Sequence, residues 1–496
     1  MQSKFKDAIN YFKFGDLENS KKVCEQILSS EKKNINFLNF YAYVLYSNKE
    51  FYLAIDIWEE AINLDSHHKE SLNGIGNAFK KVKKYERAIE YFKKALKVDS
   101  NFFDSHYNLA NVYLELKNYE QSIIYFKQAY KLKPNFIKII YGIGYSLMKD
   151  LDYEGALRYF FQYLEKDNKN SEIYNFIGIC LNKLRKYEES IDYYCKSLEL
   201  DSKNFHSVDN LLNLFTYYEP KKNRKNFIVK INSDLKEFNK NFDINEKIND
   251  KEILELLEKI IPISSSNHML NELNLDQVYR RNKINLNCER HFKVFNSFNT
   301  IPEFCFGCYK IQISPKSIIE LIKLYIIFDQ FKFDKDIFRK TLIEVRPKVS
   351  GTYKGLIYCS SKEESKEILD KIIPILKINL GNDVAFEVKR GCSEFAISYP
   401  GFEKLDSNIE FNPKWKENEK IIDNKENKKE EVLLESSILG LNIYDALVLK
   451  NWLIYSKKIG DHEFKKFKID IKDTENMNKI LSKQLEFRKQ EFRKLL

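Results

Sequence analysis

The 496-residue sequence predicts two architectures in one chain: an all-α repeat superhelix, then a smaller α/β domain with a helical tail. Three observations predict this. Residue types recur at a fixed step over residues 69–204. From residue 304 the helical apolar pattern gives way to strand-like alternation. Two close Cys/His pairs stand at the entry to that second part.

The repeat comes first. Gly76, Ala110, Gly144 and Gly178 each lie 34 residues apart. Tyr85, Tyr119, Tyr153 and Tyr187 keep the same step. So do Ala88, Ser122, Ala156 and Ser190, and also Phe92, Phe126, Phe160 and Tyr194. A helix pair cannot bury its apolar face alone, so stacked copies must share a core. The small residue of the first helix admits the second helix, and the Ala88 column faces it. The aromatic columns are expected to fill the space between one pair and the next. Asp99-Ser100-Asn101 and Lys133-Pro134-Asn135 mark the loops between copies. Ala42, Phe51, Ala54, Trp58 and Ala61 give an earlier copy, and Ala8, Leu17, Ser20 and Cys24 a degenerate first one. Residues 205–218 read as a closing helix, for about six repeats in all.

These columns resemble the tetratricopeptide repeat (TPR) family over about two fifths of the chain. The resemblance implies a superhelix whose first helices line an inner groove, and a protein or extended peptide as partner. The groove positions are Asn39, Tyr43, Asn73, Asn77, Asn108, Asn111, Tyr141, Tyr145, Asn175 and Asn182. Asn offers a donor and an acceptor to a peptide backbone without a charge. Tyr adds flat contact area at low entropy cost. The competing reading is that Asn is simply frequent in this Lys-, Asn- and Ile-rich chain. The lysine-rich clamp for two carboxylates found in chaperone-binding relatives is not evident, which argues against a partner read by its C-terminal carboxylate.

Composition adds bounds. The chain is 43% hydrophobic and 31% charged, with net charge +10 spread along it, as expected of solvated helix faces. The N-terminal MQSKFKDAINYF has no apolar signal region. No run nears the roughly 18 apolar residues of a membrane span. A cytoplasmic protein with free thiols is expected, with Cys24, Cys180 and Cys195 buried in repeat helices.

The expected domains are the repeats (1–218), a helical connector (219–285), the α/β domain (286–402), a charged linker (403–432) and a helical C-terminal segment (433–496). In the connector, residues 253–261 form a helix stopped by Pro262, and 269–282 form another. In the α/β domain, strands at 309–313, 342–345, 353–359, 384–389 and 395–399 and helices at 316–331 and 362–376 give β-α-β-β-α-β with one strand added. That order resembles the ferredoxin-like arrangement. Residues 414–431 are a mixed-charge run without apolar period. Residues 433–455 read as helix. The basic amphipathic end, 481–496, is expected to pack on its own protein rather than on a membrane or a nucleic acid.

Four candidate sites arise, the groove being the first. The second is Cys288-x2-His291, a gap of 13, then Cys305-x2-Cys308. Two close pairs supply tetrahedral zinc with little loop strain, and zinc is the one cofactor expected. Cys359 or Cys392 could replace His291. Buried reduced thiols, or a redox pair, are the other readings. The third is Lys354-Gly355 with Tyr358 and Tyr309, half of the aromatic platform of an RNA-recognition motif. Generic packing is the better reading there, so nucleic acid is not an expected partner. The fourth joins two basic loops, Arg346 and Lys348 with Lys389 and Arg390, as an anion site lacking P-loop spacing. No catalytic motif is present. The leading expectation is a non-catalytic scaffold. A TPR-targeted enzyme or anion-binding module would instead show a cleft where Arg346, Lys348, Arg390 and Cys392 converge. An RNA binder would show Tyr309 and Tyr358 side by side.

Overall fold

A computed structural model describes residues 2–494 except 265, 272, 274, 282–285, 334–336, 348 and 427–434. Its contacts divide the chain into two compact units, Met1–Lys186 and Tyr187–Leu496. The repeats were expected to run to residue 218, but the helices after Lys186 group with the second unit.

The first unit is helical: α1 (Gln2–Lys13), α2 (Leu17–Glu31), α3 (Ile35–Ser47), α4 (Phe51–Leu64), α5 (Lys69–Lys81), α6 (Tyr85–Val98), α7 (Phe103–Glu115), α8 (Tyr119–Leu132), α9 (Ile137–Lys149), α10 (Tyr153–Leu164) and α11 (Ser171–Lys183). Asn34, Asn118, Asp152 and Asn170 cap the helices that follow them, each accepting a backbone N–H. The small-residue column works by close approach. A Cβ added at Gly76 would lie 2.5 Å from the Phe92 ring, and one at Gly144 would lie 2.8 Å from Phe160. The Phe92 column fills the space inside its own pair and also the gap to the next pair, as expected: a Cβ at Gly142 of α9 would lie 2.5 Å from Phe126 of α8, and one at Gly74 of α5 would lie 2.4 Å from Trp58 of α4. The Ala88 column does face the first helix. Where it is Ser, its hydroxyl donates to the facing carbonyl, Ser20 to Ala8 at 2.8 Å and Ser122 to Ala110 at 3.0 Å.

A further column joins the two helices of each pair. Gly15, Lys49, Lys83, Lys117, Leu151 and Arg185 all have positive φ, between 58° and 78°. The step is again 34 residues. Only Gly15 adopts that geometry without steric cost; each other side chain costs about 1–2 kcal/mol there. Glycine returns roughly 0.5–1 kcal/mol of this as lost chain entropy. Leu151→Gly, at a half-exposed site, should thus raise the stability of the first unit by about 0.5–1 kcal/mol, read by urea denaturation.

The second unit holds α12 (Tyr187–Leu200), α13 (Phe205–Phe215), α14 (Phe227–Lys236), α15 (Asp250–Ser264), α16 (His268–Asn271), β1 (Gln277–Arg280), α17 (Cys288–Phe298), β2 (Tyr309–Ser314), α18 (Ile318–Gln330), β3 (Arg339–Ile343), β4 (Tyr353–Cys359), α19 (Lys362–Leu380), β5 (Ala385–Arg390), α20 (Phe395–Ser398), α21 (Lys416–Glu426), α22 (Ile443–Ile459), α23 (Glu475–Leu481) and α24 (Leu485–Arg493). The strands form one antiparallel sheet in the order β1-β3-β4-β2-β5. Helices α18 and α19 cover one face. Gly355 permits this, since a Cβ there would lie 2.4 Å from Leu324 of α18.

Several expectations change. Residues 395–399, expected as a strand, form α20; Phe395 is driven into a small aromatic core with Ile301, Cys305 and Phe402. The additional strand is instead β1, within the stretch expected to be helical, where Val278 and Arg280 face inward and Gln277 and Tyr279 alternate with them. Helix α15 continues through Pro262 to Ser264 and ends two residues later, Pro262 leaving the Glu258 carbonyl without its N–H donor. Part of the charged linker is α21, docked by Arg290 on Glu419 (2.8 Å) and Asp423 (2.6 Å); residues 427–431 lie outside the described residues. The helix expected over 433–455 is α22, Ile443–Ile459.

Helix α22 is buried on nearly every side, as its apolar composition all round requires. It packs on α13, α14, α15, α18, α24 and β1. One buried ion cluster fixes it to the sheet. Arg280 donates to Asp329 at 2.5 Å and to Asp445 of α22 at 2.6 Å, and the Tyr325 hydroxyl donates to Asp445 at 3.1 Å. The basic tail packs on its own unit. Arg488 of α24 is fully buried and donates to the carbonyls of Arg346, Val349 and Gly351.

Candidate functional site

The ten groove positions separate into rows on α3, α5, α7, α9 and α11. Asn39, Asn73 and Asn175 share one row with Tyr141, and this row ties repeats together. The Asn39 side-chain oxygen accepts from Trp58 Nε1 at 2.9 Å, and Asn73 accepts from Ser105 Oγ at 3.1 Å and Asn108 Nδ2 at 3.0 Å. Asn73 and Asn175 are buried. The Tyr141 hydroxyl meets Glu172 at 3.4 Å, and burial raises its pKa. The next row, Tyr43, Asn77, Asn111 and Tyr145, is half-buried throughout. Tyr43 packs edge-on to Trp58, and burial lifts its hydroxyl to about 12. Tyr145 stacks parallel to Tyr141 at 6.0 Å. The Asn77 amide makes no hydrogen bond among the described residues. Asn111 spends only its Nδ2, on the Tyr107 carbonyl of its own helix. Asn182 is half-buried at the end of α11.

The second unit gathers the other candidates around a cavity of about 230 Å³ on the sheet face away from α18 and α19. Cys288 of α17, Lys310 of β2, Lys340 of β3, Tyr358 of β4, Arg346 and Cys392 all border it. Strand register explains the choice: Lys310 pairs with Tyr358 across β2–β4, and Lys340 with Leu356 across β3–β4, so their side chains share that face. Gly391, at φ +59°, turns the chain after β5 and brings Cys392 to the cavity. Its N–H donates to the Cys308 carbonyl at 2.7 Å, and a Cβ there would strike Phe402 at 2.5 Å.

The sequence-read sites fall around this cavity unevenly. Cys305 is buried in the small aromatic core, and Cys308 is buried beside it. His291 is buried and stacks on Phe304, with ring centres 5.0 Å apart. Cys392, not Cys359, lies nearest the other thiols: it shares the core with Cys305 and the cavity with Cys288. Among the described residues no three His, Cys, Asp or Glu side chains are arranged to hold one metal ion. Burial holds Cys288 at about 11 and Cys308 at about 12, so both thiols are protonated and weakly nucleophilic at neutral pH.

Of the two basic loops, only Arg346 reaches the cavity. Its guanidinium is held by Glu344 at 2.6 Å and by Glu394. Arg390 turns away, donating to the carbonyls of Phe402 and Ile409 and lying over the Phe402 ring at 4.7 Å. Lys389 pairs with Glu387 at 2.8 Å. Lys348 lies outside the described residues. The expected convergence thus retains Arg346 and Cys392 and loses Arg390. Tyr309 and Tyr358 do not stand side by side: Tyr309 pairs with Cys359, one residue out of step, which puts the two rings on opposite faces. Sequence reading passed over Lys310, Lys340, Tyr279 and Phe338. A lysine at the polar step of a strand looks solvated unless the polar face is known to be covered, and β1, which carries Tyr279, was not recognised as a strand.

Family models match within the N-terminal half: "TPR repeat" over residues 76–117, "Tetratricopeptide repeat" over 103–136 and 171–204, and "Anaphase-promoting complex, cyclosome, subunit 3" over 15–94. The N-terminal half therefore carries tetratricopeptide repeats. No curated protein matches the chain. Among solved structures, YrrB, described as a TPR protein with an unusual peptide-binding site, is 20% identical, covering 38% of this chain and 96% of its own, with a TM-score of 0.36. PilF of Pseudomonas aeruginosa is 19% identical, covering 42% of this chain and 95% of its own, with a TM-score of 0.37. The Cut9–Hcn1 hetero-tetramer of the APC/C gives 15% identity, 42% of each chain and a TM-score of 0.35. Among the described residues no helix is long and apolar enough to cross a membrane.

Proposed function

We propose that the chain is a protein-binding scaffold whose repeats hold an extended peptide segment along the row Tyr43, Asn77, Asn111 and Tyr145. The observation that supports this is the unused hydrogen-bonding capacity of Asn77 and Asn111 on a half-buried face between aromatic side chains. Amides there can take a strand's N–H and C=O groups in either direction. Their neighbours Asn39 and Asn73 keep the repeats in register rather than meet the ligand. The eight free cysteines suit a reducing compartment, and we place the protein in the cytoplasm. The second unit reads as a ferredoxin-like core, with β2, β3, β4 and β5 in the order β5-β2-β4-β3 and β1 added at the edge.

The test is selection of random extended peptides displayed on phage against the full chain, followed by titration of the enriched sequences. Asn77→Ala combined with Asn111→Ala should weaken binding at least roughly tenfold, equivalent to about 1.4 kcal/mol, with unchanged helical signal. Lys127→Ala, on the second helix of its pair, should leave affinity unaltered. Enriched peptides indifferent to the double substitution, or none enriched, would remove this reading.

A further inference from the structure

We propose that the cavity on the sheet face away from α18 and α19 binds a small organic anion, a phosphate or carboxylate head on a flat apolar body, with Lys310 and Lys340 holding the head.

The argument starts from Lys310. It is only 5% exposed, borders the cavity, and has no carboxylate partner among the described residues. Among the described residues its ammonium makes one hydrogen bond, to the Ser393 hydroxyl at 3.4 Å. Two other deeply buried lysines of this unit are neutralised: Lys354 by Glu344 at 2.8 Å, and Lys323 by Asp250 at 2.6 Å. A buried ammonium without an anion is strongly unfavourable, so a charge left open at a cavity points to an anion from outside. Lys340 repeats the pattern on β3, on the other side of β4. Its ammonium reaches Gln277 at 3.2 Å and lies near the rings of Tyr279 and Tyr358, again with no carboxylate. Burial, and then the neighbouring Arg346, pull its pKa down, which is the strain an incoming anion would relieve.

The remaining charges do not satisfy the pair: Arg281 adds a further cation at the cavity. Arg346 and Glu394 both border the cavity but are committed to each other, with Glu344 completing the guanidinium. The walls define the rest of the ligand. Tyr279, Phe338 and Tyr358 form a run of ring contacts, with centres 5.6 and 5.2 Å apart, that suits a planar apolar body. The site lies wholly within the second unit and does not depend on the peptide reading of the repeats.

Calorimetric titration of the full chain with phenyl phosphate and with benzoate tests this, the tighter binder naming the head group. Saturable binding of either is expected, weakened at least tenfold in Lys310→Met and in Lys340→Met but not in Lys389→Met, whose lysine is already paired. Without ligand, Lys310→Met should melt above wild type, because it removes an uncompensated buried charge. Failure of both probes to bind at millimolar concentration overturns the proposal, as does a Lys310→Met that melts lower while binding as wild type. One equivalent of zinc in the purified chain, lost in Cys392→Ser, also overturns it: the two lysines would then balance metal-bound thiolates.

Discussion

Asp445→Ala should be the most damaging single substitution in the second unit, lowering its stability by about 3–5 kcal/mol. Arg280 is 3% exposed, and its guanidinium is divided between Asp329 on α18 and Asp445 on α22. Removing Asp445 leaves that cation half-compensated in an apolar interior and deprives the Tyr325 hydroxyl of its acceptor. The cluster also joins strand, covering helix and central helix, so relaxation at one place cannot spare the others. The control is the double variant Arg280→Met with Asp445→Leu. Exchanging both ions for apolar groups removes the desolvation cost together with the attraction, and such exchanges are often neutral or stabilising. Urea denaturation should therefore show a large loss for Asp445→Ala and substantial recovery in the double variant. Equal losses in both would mean that Asp445 acts through the shape of α22 rather than through Arg280.

This cluster also marks where sequence reading stopped. The repeats were legible because a 34-residue step makes each copy test the others, and because a glycine under an aromatic ring is a local contact with a local signature. The left-handed column between the paired helices escaped: its members are Gly, Lys, Lys, Lys, Leu and Arg, and the stack imposes their geometry whatever the side chain. The strands β2, β4 and β5 and helices α18 and α19 came from their periodicity; in the structure Ser317 and Ser361 cap the two helices, each accepting a backbone N–H. Strand β1 did not. Four residues are too few for a period, and Arg280 looks like a surface residue until its two partners, 49 and 165 positions along, are known. The candidate cavity failed for the same reason. It is assembled from a residue or two of each of β1, β2, β3 and β4, the start of α17 and the turn after β5, and no contiguous motif records that they meet.

Arg488→Met is the second large effect, and it joins the tail to the cavity. The side chain is fully buried in α24, where sequence alone offered one basic residue among several. It donates to the carbonyls of Arg346 (2.7 Å), Val349 (2.9 Å) and Gly351 (3.1 Å) and pairs with Glu491 at 2.6 Å. Met matches the volume but leaves those carbonyls unsatisfied, each costing about 1–3 kcal/mol if it stays dry. Partial relaxation and entering water should limit the loss to about 3–5 kcal/mol. Lys489→Ala, one residue along, should stay within about 0.5 kcal/mol, as surface substitutions do. The two variants differ in a second readout. The 346–351 loop carries Arg346, which keeps Glu394 occupied at the cavity edge. Once the loop loses Arg488, Glu394 is free to turn toward Lys310 and Lys340 and compete with an incoming anion. Phenyl phosphate affinity should accordingly fall in Arg488→Met under conditions where the variant is still folded, and return when Glu394→Gln is added. A stability loss with unchanged affinity would confine Arg488 to holding the loop. Recovery of binding in the double variant would make the C-terminal helix part of the machinery that keeps the cavity open to anions.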